Sequence, residues 1–241
     1  MGFTLYASHF GADLASDFDV QPETLSRYEP KRWREGLQPR LEFFFDCSSP
    51  WTYLAFVRLL KLANRVSVDL TWRPILVGGV FNKVNADVYK QRETPNPVKT
   101  HYYQKDLADW ATFVDIKILK PRVFPVKSVT AMRGCFYAIE QNLMVPYAQN
   151  LFEAYWRDDR DISQDDEVAR CAALAGLDGE ALLRFAKSDA ARSQLVGNTQ
   201  EIIDRGGFGS PTFFINTSDM YFGNDRLELI EAALVRLNSE M

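Results

Sequence analysis

Residues 41–56, LEFFFDCSSPWTYLAF, constrain the fold more than any other stretch of the chain. Leu41 to Phe45 are apolar except for Glu42, and three consecutive phenylalanines suit a strand covered on both faces, as in parallel sheets. Asp46 to Ser49 break that run. Pro50 then fits the first position of a helix, where its missing N–H costs nothing. Ser49 is placed to cap this helix, because a serine oxygen accepts from the first free N–H groups. Beyond it Leu54, Val57, Leu60 and Leu62 recur roughly at helical spacing. The predicted unit is strand, tight turn and helix, with a hydroxyl at the helix N-terminus. Such an end carries partial positive charge and free donors, so it can hold an anion or a thiolate.

The rest of the chain narrows the function classes. At 241 residues it has room for one large domain or a domain with an insertion. A net charge of −4 gives no electrostatic case for nucleic acid. No apolar run reaches the ~18–20 residues needed to span a membrane. The first residues lack a basic stretch followed by an apolar core, so no secretory signal is expected. Cys47, Cys135 and Cys171 are odd in number and far apart, which suggests a reducing compartment, the cytoplasm, rather than a disulfide framework. His9 and His101 have no metal-ligand spacing around them, so no metal is expected. Neither a phosphate-binding Gly-x-x-x-x-Gly-Lys loop nor a Gly-x-Ser-x-Gly elbow occurs.

Taken in order, residues 1–40 are polar and punctuated by Pro22, Pro30 and Pro39, and read as an N-terminal extension. After the first helix, Val66, Val68, Leu70 and Trp72 alternate with polar residues, the pattern of a second strand. Strand, helix and strand make the right-handed crossover unit of a parallel sheet. Gly78-Gly79 mark a break. Helical pattern then dominates to about Gly206, over 97–114, 126–142, 146–158, 165–175, 180–187 and 189–205. In the first of these, Tyr103, Leu107, Trp110 and Val114 share a face. Strand signal returns at 211–215 and at 220–222 as a hairpin, and a last helix carries Leu227, Ile230, Leu234 and Leu237. The predicted class is α/β: β-α-β, an inserted all-helical domain, then β-β-α. The sheet domain takes residues 41–76 and 207–241, and the helical one 77–206.

Four further features have a bland reading beside a functional one. Gly207-Phe-Gly-Ser-Pro-Thr-Phe-Phe214 is a turn before a buried strand. Tyr221-Phe-Gly-Asn-Asp-Arg226 is a turn with a helix cap, supplied by Asn224 or Asp225. Thr94-Pro-Asn-Pro97 is a loop by composition, in which Asn96 is structural. Cys47 reads as a small buried apolar side chain, against a rival reading as a reactive thiol.

Together these motifs resemble a known family. Thioredoxin-like disulfide oxidants of the DsbA group carry Cys-Pro-x-Cys after the first strand, and here that slot reads Ser49-Pro50-Trp51-Thr52. The replacement of both sulfurs by hydroxyls resembles 2-hydroxychromene-2-carboxylate isomerases and kappa-class glutathione transferases. The resemblance covers roughly Leu41 to Leu237 and implies a thioredoxin-like fold. It also implies that glutathione is the cofactor, with Ser49 against its sulfur as the catalytic residue. Pro211 then matches the family's cis-proline, and Ser210 would pair with the cysteinyl part of glutathione through its backbone. Asn224 and Asp225 would grip the γ-glutamyl end, where a carboxylate suits the ammonium. In the family an asparagine between the second strand and the inserted helices contacts glutathione, and Asn96 is the residue assigned to that role. The implied activity is isomerisation of a small conjugated aromatic 2-oxo acid, with the enzyme a homodimer. Glutathione conjugation is the alternative. A disulfide oxidoreductase and a non-catalytic binding module remain as further classes.

Overall fold

The side chains of Phe43, Phe44 and Phe45 alternate between two buried faces of one sheet, and each ring is fully buried. This is the geometry that a strand with period two imposes on a continuous apolar run. A computed structural model describes residues 38–240, so the extension expected at the N-terminus lies outside the described residues up to position 37. Strand β1 (Arg40–Phe45) pairs in parallel with β2 (Asp69–Pro74), and antiparallel with β3 (Thr212–Ile215). Strand β4 (Asp219–Phe222) adds antiparallel to β3, giving the order β2-β1-β3-β4. Pro74 is tolerated in β2 because β2 is an edge strand, where one side needs no ladder donor.

Leu41, Phe43 and Phe45 face helices α1 (Pro50–Arg65) and α10 (Leu227–Ser239), and join the main core with Phe56, Leu59, Ile230 and Leu234. Phe43 stacks on Phe213 at 4.9 Å and on Phe45 at 5.2 Å. Phe44 points the other way, into a second cluster with Ile75, Val80, Ile202 and Phe214. Each such ring contributes about 1.5–3 kcal/mol by leaving water. Glu42 shares the Phe44 face and is only 2% exposed. It is met there by three guanidiniums: Arg205 at 2.6 Å, Arg40 at 3.2 Å and Arg73 at 3.4 Å.

Between β2 and β3 the chain is helical: α2 (Val77–Val84), α3 (Asp87–Glu93), α4 (Pro97–Val114), α5 (Val129–Glu140), α6 (Met144–Phe152), α7 (Asp165–Leu174), α8 (Gly179–Ala186) and α9 (Asp189–Asp204). A π-helical turn, Glu153–Arg157, continues α6. The expected β-α-β, helical insertion and β-β-α order is therefore present. Two members of the insertion also serve the sheet. Val80 of α2 and Ile202 of α9 cover the Phe44 face, so the sheet's second layer comes from both ends of the helical segment.

Three local expectations are corrected. Gly78-Gly79 do not break the chain but lie inside α2. A Cβ on Gly79 would come 3.1 Å from the Thr199 side chain, so the glycine lets α2 approach α9. Val66 belongs to the end of α1 rather than to the second strand, because its N–H caps Leu62 O. Tyr103 does not share the buried face of α4: it is 56% exposed, while Leu107, Trp110 and Val114 pack with Leu54 of α1.

Candidate active site

The carboxyl ends of β1 and β2 are where open α/β sheets place their ligands, and the 46–52 turn lies there. Ser49 has extended backbone (φ −107°, ψ 125°) and caps α1, accepting from Thr52 N–H at 3.3 Å. Its own proton goes to Ser210 C=O, also at 3.3 Å. One half-buried hydroxyl thus faces the Ser210–Pro211 peptide, which is cis.

Thr52 stands where the second sulfur of the Cys-Pro-x-Cys slot would be, and it is fully buried. Its hydroxyl is 2.8 Å from Ser210 Oγ, which in turn accepts from Asp46 N–H at 3.1 Å. The two hydroxyls therefore have different capacities. Ser49 is partly open to a ligand, whereas Thr52 ties the active-site turn to the loop before β3. The Ser210 hydroxyl is engaged on that inner side.

Asp46 is the strut behind the turn. It is 1% exposed, and its two oxygens accept from Ser48 N–H and from Val77 N–H, each at 2.9 Å. Burial pushes its carboxyl above the usual range, with those donors working in the opposite direction. Cys47 points into the core, and its thiol is pushed well up, first by burial and then by the Asp46 charge. A thiol without thiolate character is a poor nucleophile. Iodoacetamide is accordingly expected to leave Cys47 unlabelled in the native protein and to label it on unfolding. Mass-spectrometric detection of rapid native labelling would contradict the packing role.

On the other side of Ser210 lies the Gly223-Asn-Asp-Arg turn. Asn224 is 3% exposed and belongs to a short 3-10 turn, Asn224–Arg226, leading into α10. Its backbone carbonyl and its Oδ1 both accept from the Arg58 guanidinium of α1, the latter at 3.2 Å. Arg58 also pairs with Glu228 and lies 4.6 Å over the Trp110 ring of α4. The bond from Arg58 orients the Asn224 amide and leaves its NH₂ group free to donate. Asp225 is exposed and pairs with Arg226 at 2.6 Å. Gly223 is required at φ +108°, and a Cβ there would strike Asp225 Oδ1 at 2.5 Å.

Ser49, Ser210, Pro211 and, through α1, Asn224 are thus brought together. Asn96 is not joined to them by any contact described: it is exposed and caps α4, accepting from Val98 and Lys99 N–H at 3.0 and 3.2 Å. A different asparagine reaches the cis-proline loop. Asn85, which ends α2, donates to Phe208 C=O at 3.1 Å, two residues before Ser210. Sequence reasoning missed Asn85 and Arg58. The available signal for Asn85 was its place between the second strand and the long helices; for Arg58 it was a cation inside the apolar run Leu54–Leu60 of α1.

Among the described residues no cluster of His, Cys, Asp and Glu could hold a metal, and no helix is long and apolar enough to cross a membrane. The site is instead a helix N-terminus beside backbone donors, suited to a thiolate and an extended peptide.

The chain is similar to known proteins in sequence and in fold. The family described as DSBA-like thioredoxin domain matches residues 40–235. A 2-hydroxychromene-2-carboxylate isomerase of Sphingobium xenophagum is 29% identical over 197 residues, covering 81% of this chain and 97% of the isomerase. Glutathione S-transferase kappa 1 of Rattus norvegicus is 28% identical over 209 residues, covering 81% of this chain and 91% of the transferase. A solved 2-hydroxychromene-2-carboxylate isomerase superposes with a TM-score of 0.71 at 28% identity, over 83% of this chain and 97% of that one. The match across the sheet, the helical segment and the last hairpin means that this chain belongs to the DSBA-like thioredoxin-domain family, in the group of the 2-hydroxychromene-2-carboxylate isomerases and kappa glutathione transferases.

Proposed function

We propose that the protein is a glutathione-dependent isomerase of a conjugated aromatic 2-oxo acid, with the glutathione sulfur at Ser49. The observation that carries this reading is the Ser49 hydroxyl at the α1 N-terminus, where disulfide oxidants have their attacking cysteine. Its proton is held by Ser210 C=O at 3.3 Å, a long bond that a thiolate can displace. Together with the helix end, that hydroxyl lowers the pKa of a bound thiol. The thiolate adds to the β-carbon of the substrate, forming a C–S bond while the C=C pair moves into the carbonyl as an enolate. Rotation about the resulting single bond follows. Collapse of the enolate then re-forms the double bond and expels the thiolate, so glutathione is regenerated. Protonation of the enolate instead would leave a thioether, the product of a transferase; the names of the relatives support both outcomes.

In this reading Ser210 offers its backbone to the cysteinyl unit, and Asn224 and Asp225 take the γ-glutamyl end. Asn85 and Asn96 both lie between the second strand and the later helices; the bond to Phe208 favours Asn85 as the glutathione contact.

Calorimetric titration with reduced glutathione tests the proposal, and saturating ligand at 100 times the dissociation constant should add about 2.7 kcal/mol of stability. The Asp225→Asn variant should bind about 1.5 kcal/mol more weakly. That is the low end for a charge-assisted hydrogen bond, because Asp225 is exposed and shared with Arg226. No heat and no thermal shift with wild type would remove glutathione from the mechanism. Unchanged affinity in Asp225→Asn would reduce that residue to part of the turn.

A further inference from the structure

Four arginines of the described chain lie over aromatic rings, and three of them also pair with a carboxylate. Arg58 pairs with Glu228, and Arg73 and Arg205 both pair with Glu42. Arg92 is the exception. Its guanidinium carbon is 5.3 Å from the Phe124 ring, 5.8 Å from Phe81 and 6.0 Å from Tyr89, with no ion pair among the described residues. Arg92 is exposed in the last turn of α3, and Phe124 is 46% exposed beside it. A cation with no carboxylate partner among the described residues is thus held over an exposed aromatic wall.

Two chains of contact link that wall to the segments that carry Ser49 and Ser210. Phe124 lies 6.3 Å from the Trp156 ring, whose indole N–H donates to Cys47 C=O at 2.9 Å. Cys47 is two residues before Ser49. On the other flank, a Cβ built on Gly209 would be 3.7 Å from the Phe81 ring and 2.8 Å from Phe222. Gly209 immediately precedes Ser210, the partner of the Ser49 hydroxyl. Helix α2, which carries Phe81, is anchored at its first residue by the Val77 N–H bond to Asp46.

We infer that this wall is the acceptor site and Arg92 its anion anchor. The ligand is a planar conjugated carbonyl compound bearing a carboxylate. Its ring lies against Phe81 and Phe124, and its carboxylate meets the guanidinium edge. Stacking uses the faces of a guanidinium and leaves its in-plane N–H groups free, and these match a carboxylate in bidentate geometry. The carboxylate fixes the position of the reacting double bond relative to Ser49. This inference deepens the proposed function and rests on its placement of the sulfur.

The test uses calorimetry on the whole protein with two probes. Benzylidenepyruvate has the carboxylate; benzylideneacetone has the same conjugated ring and carbonyl without it. Wild type is expected to bind the acid at least tenfold more tightly than the ketone. Arg92→Gln should abolish that difference while leaving ketone and glutathione affinities unchanged, and Arg92→Lys should restore part of it. Arg92 is exposed, so neither variant threatens the fold. Equal affinity of wild type for both probes, or an acid affinity untouched in Arg92→Gln, would overturn the anchor. Acid binding that depends on Arg92 in a protein that takes up no glutathione would uphold the anchor and refute the glutathione reading instead.

Discussion

Replacing Glu42 by alanine is expected to cost about 3 kcal/mol of unfolding free energy. The carboxylate is 2% exposed and sits among Arg40, Arg73 and Arg205. Arg205 also pairs with Glu201 at 2.8 Å, and Arg73 pairs with the same residue. Without Glu42, Arg73 and Arg205 share the one carboxylate of Glu201, and Arg40 loses its own. Breaking a buried pair by removing one partner costs about 3–5 kcal/mol, because it leaves uncompensated buried charge. The guanidiniums are 17–37% exposed and can recover some water, which argues for the lower end. Arg205 lies 3.8 Å over Phe214 and 5.2 Å over Phe44, so its displacement would also loosen the sheet face. Glu42→Gln keeps an acceptor oxygen and the packing, and should lose less. Urea unfolding at fixed slope measures both. A loss below about 1 kcal/mol for the alanine variant would mean that the network behaves as an exposed ion pair does.

That buried glutamate also shows where sequence reasoning reaches its limit. The LEFFF run fixed β1 as a strand buried on both faces, since alternation within a continuous apolar run needs no tertiary information. Glu42 stood out as the polar exception. Its partners could not be named, because they come from β1, β2 and the residue that caps α9, and the last is 163 residues away. Helix α4 was legible to both ends, because Pro97 marks its first turn and the apolar spacing persists to Val114. The Gly78-Gly79 pair misled, because a glycine that breaks a helix and a glycine that lets two helices touch read alike in one dimension. The site divides in the same way. Ser49, Ser210, Pro211 and the Gly-Asn-Asp-Arg turn lie in local motifs. Asn85, Arg58 and Arg92 make their contacts between segments distant in sequence, where no spacing rule applies.

Ser49→Ala is expected to lower turnover by about 10²–10³-fold while costing only ~1 kcal/mol of stability. The stability loss is that of an N-cap, since Thr52 N–H loses its side-chain acceptor whatever the function. The rate loss is that of one preorganised donor removed from a developing or bound anion. The two effects have separate readouts. Ultraviolet thiolate absorbance of bound glutathione against pH should move up towards the ordinary thiol range near about 8.5 in the alanine variant. Ser49→Thr, which keeps a hydroxyl in the same slot, should retain both the cap and the lowered thiol pKa. Ser49→Cys should be trapped by oxidised glutathione. Its thiolate attacks one sulfur of the disulfide, a new S–S bond forms to that half, and the other half leaves as glutathione thiolate. The position favours that attack, because a helix N-terminus lowers a cysteine pKa. An alanine variant that is less stable but keeps its turnover and its bound thiol pKa would leave Ser49 as a cap alone. The role would then pass to the free N–H groups of the first α1 turn. It would not pass to Cys47, whose thiol is buried and pushed up in pKa.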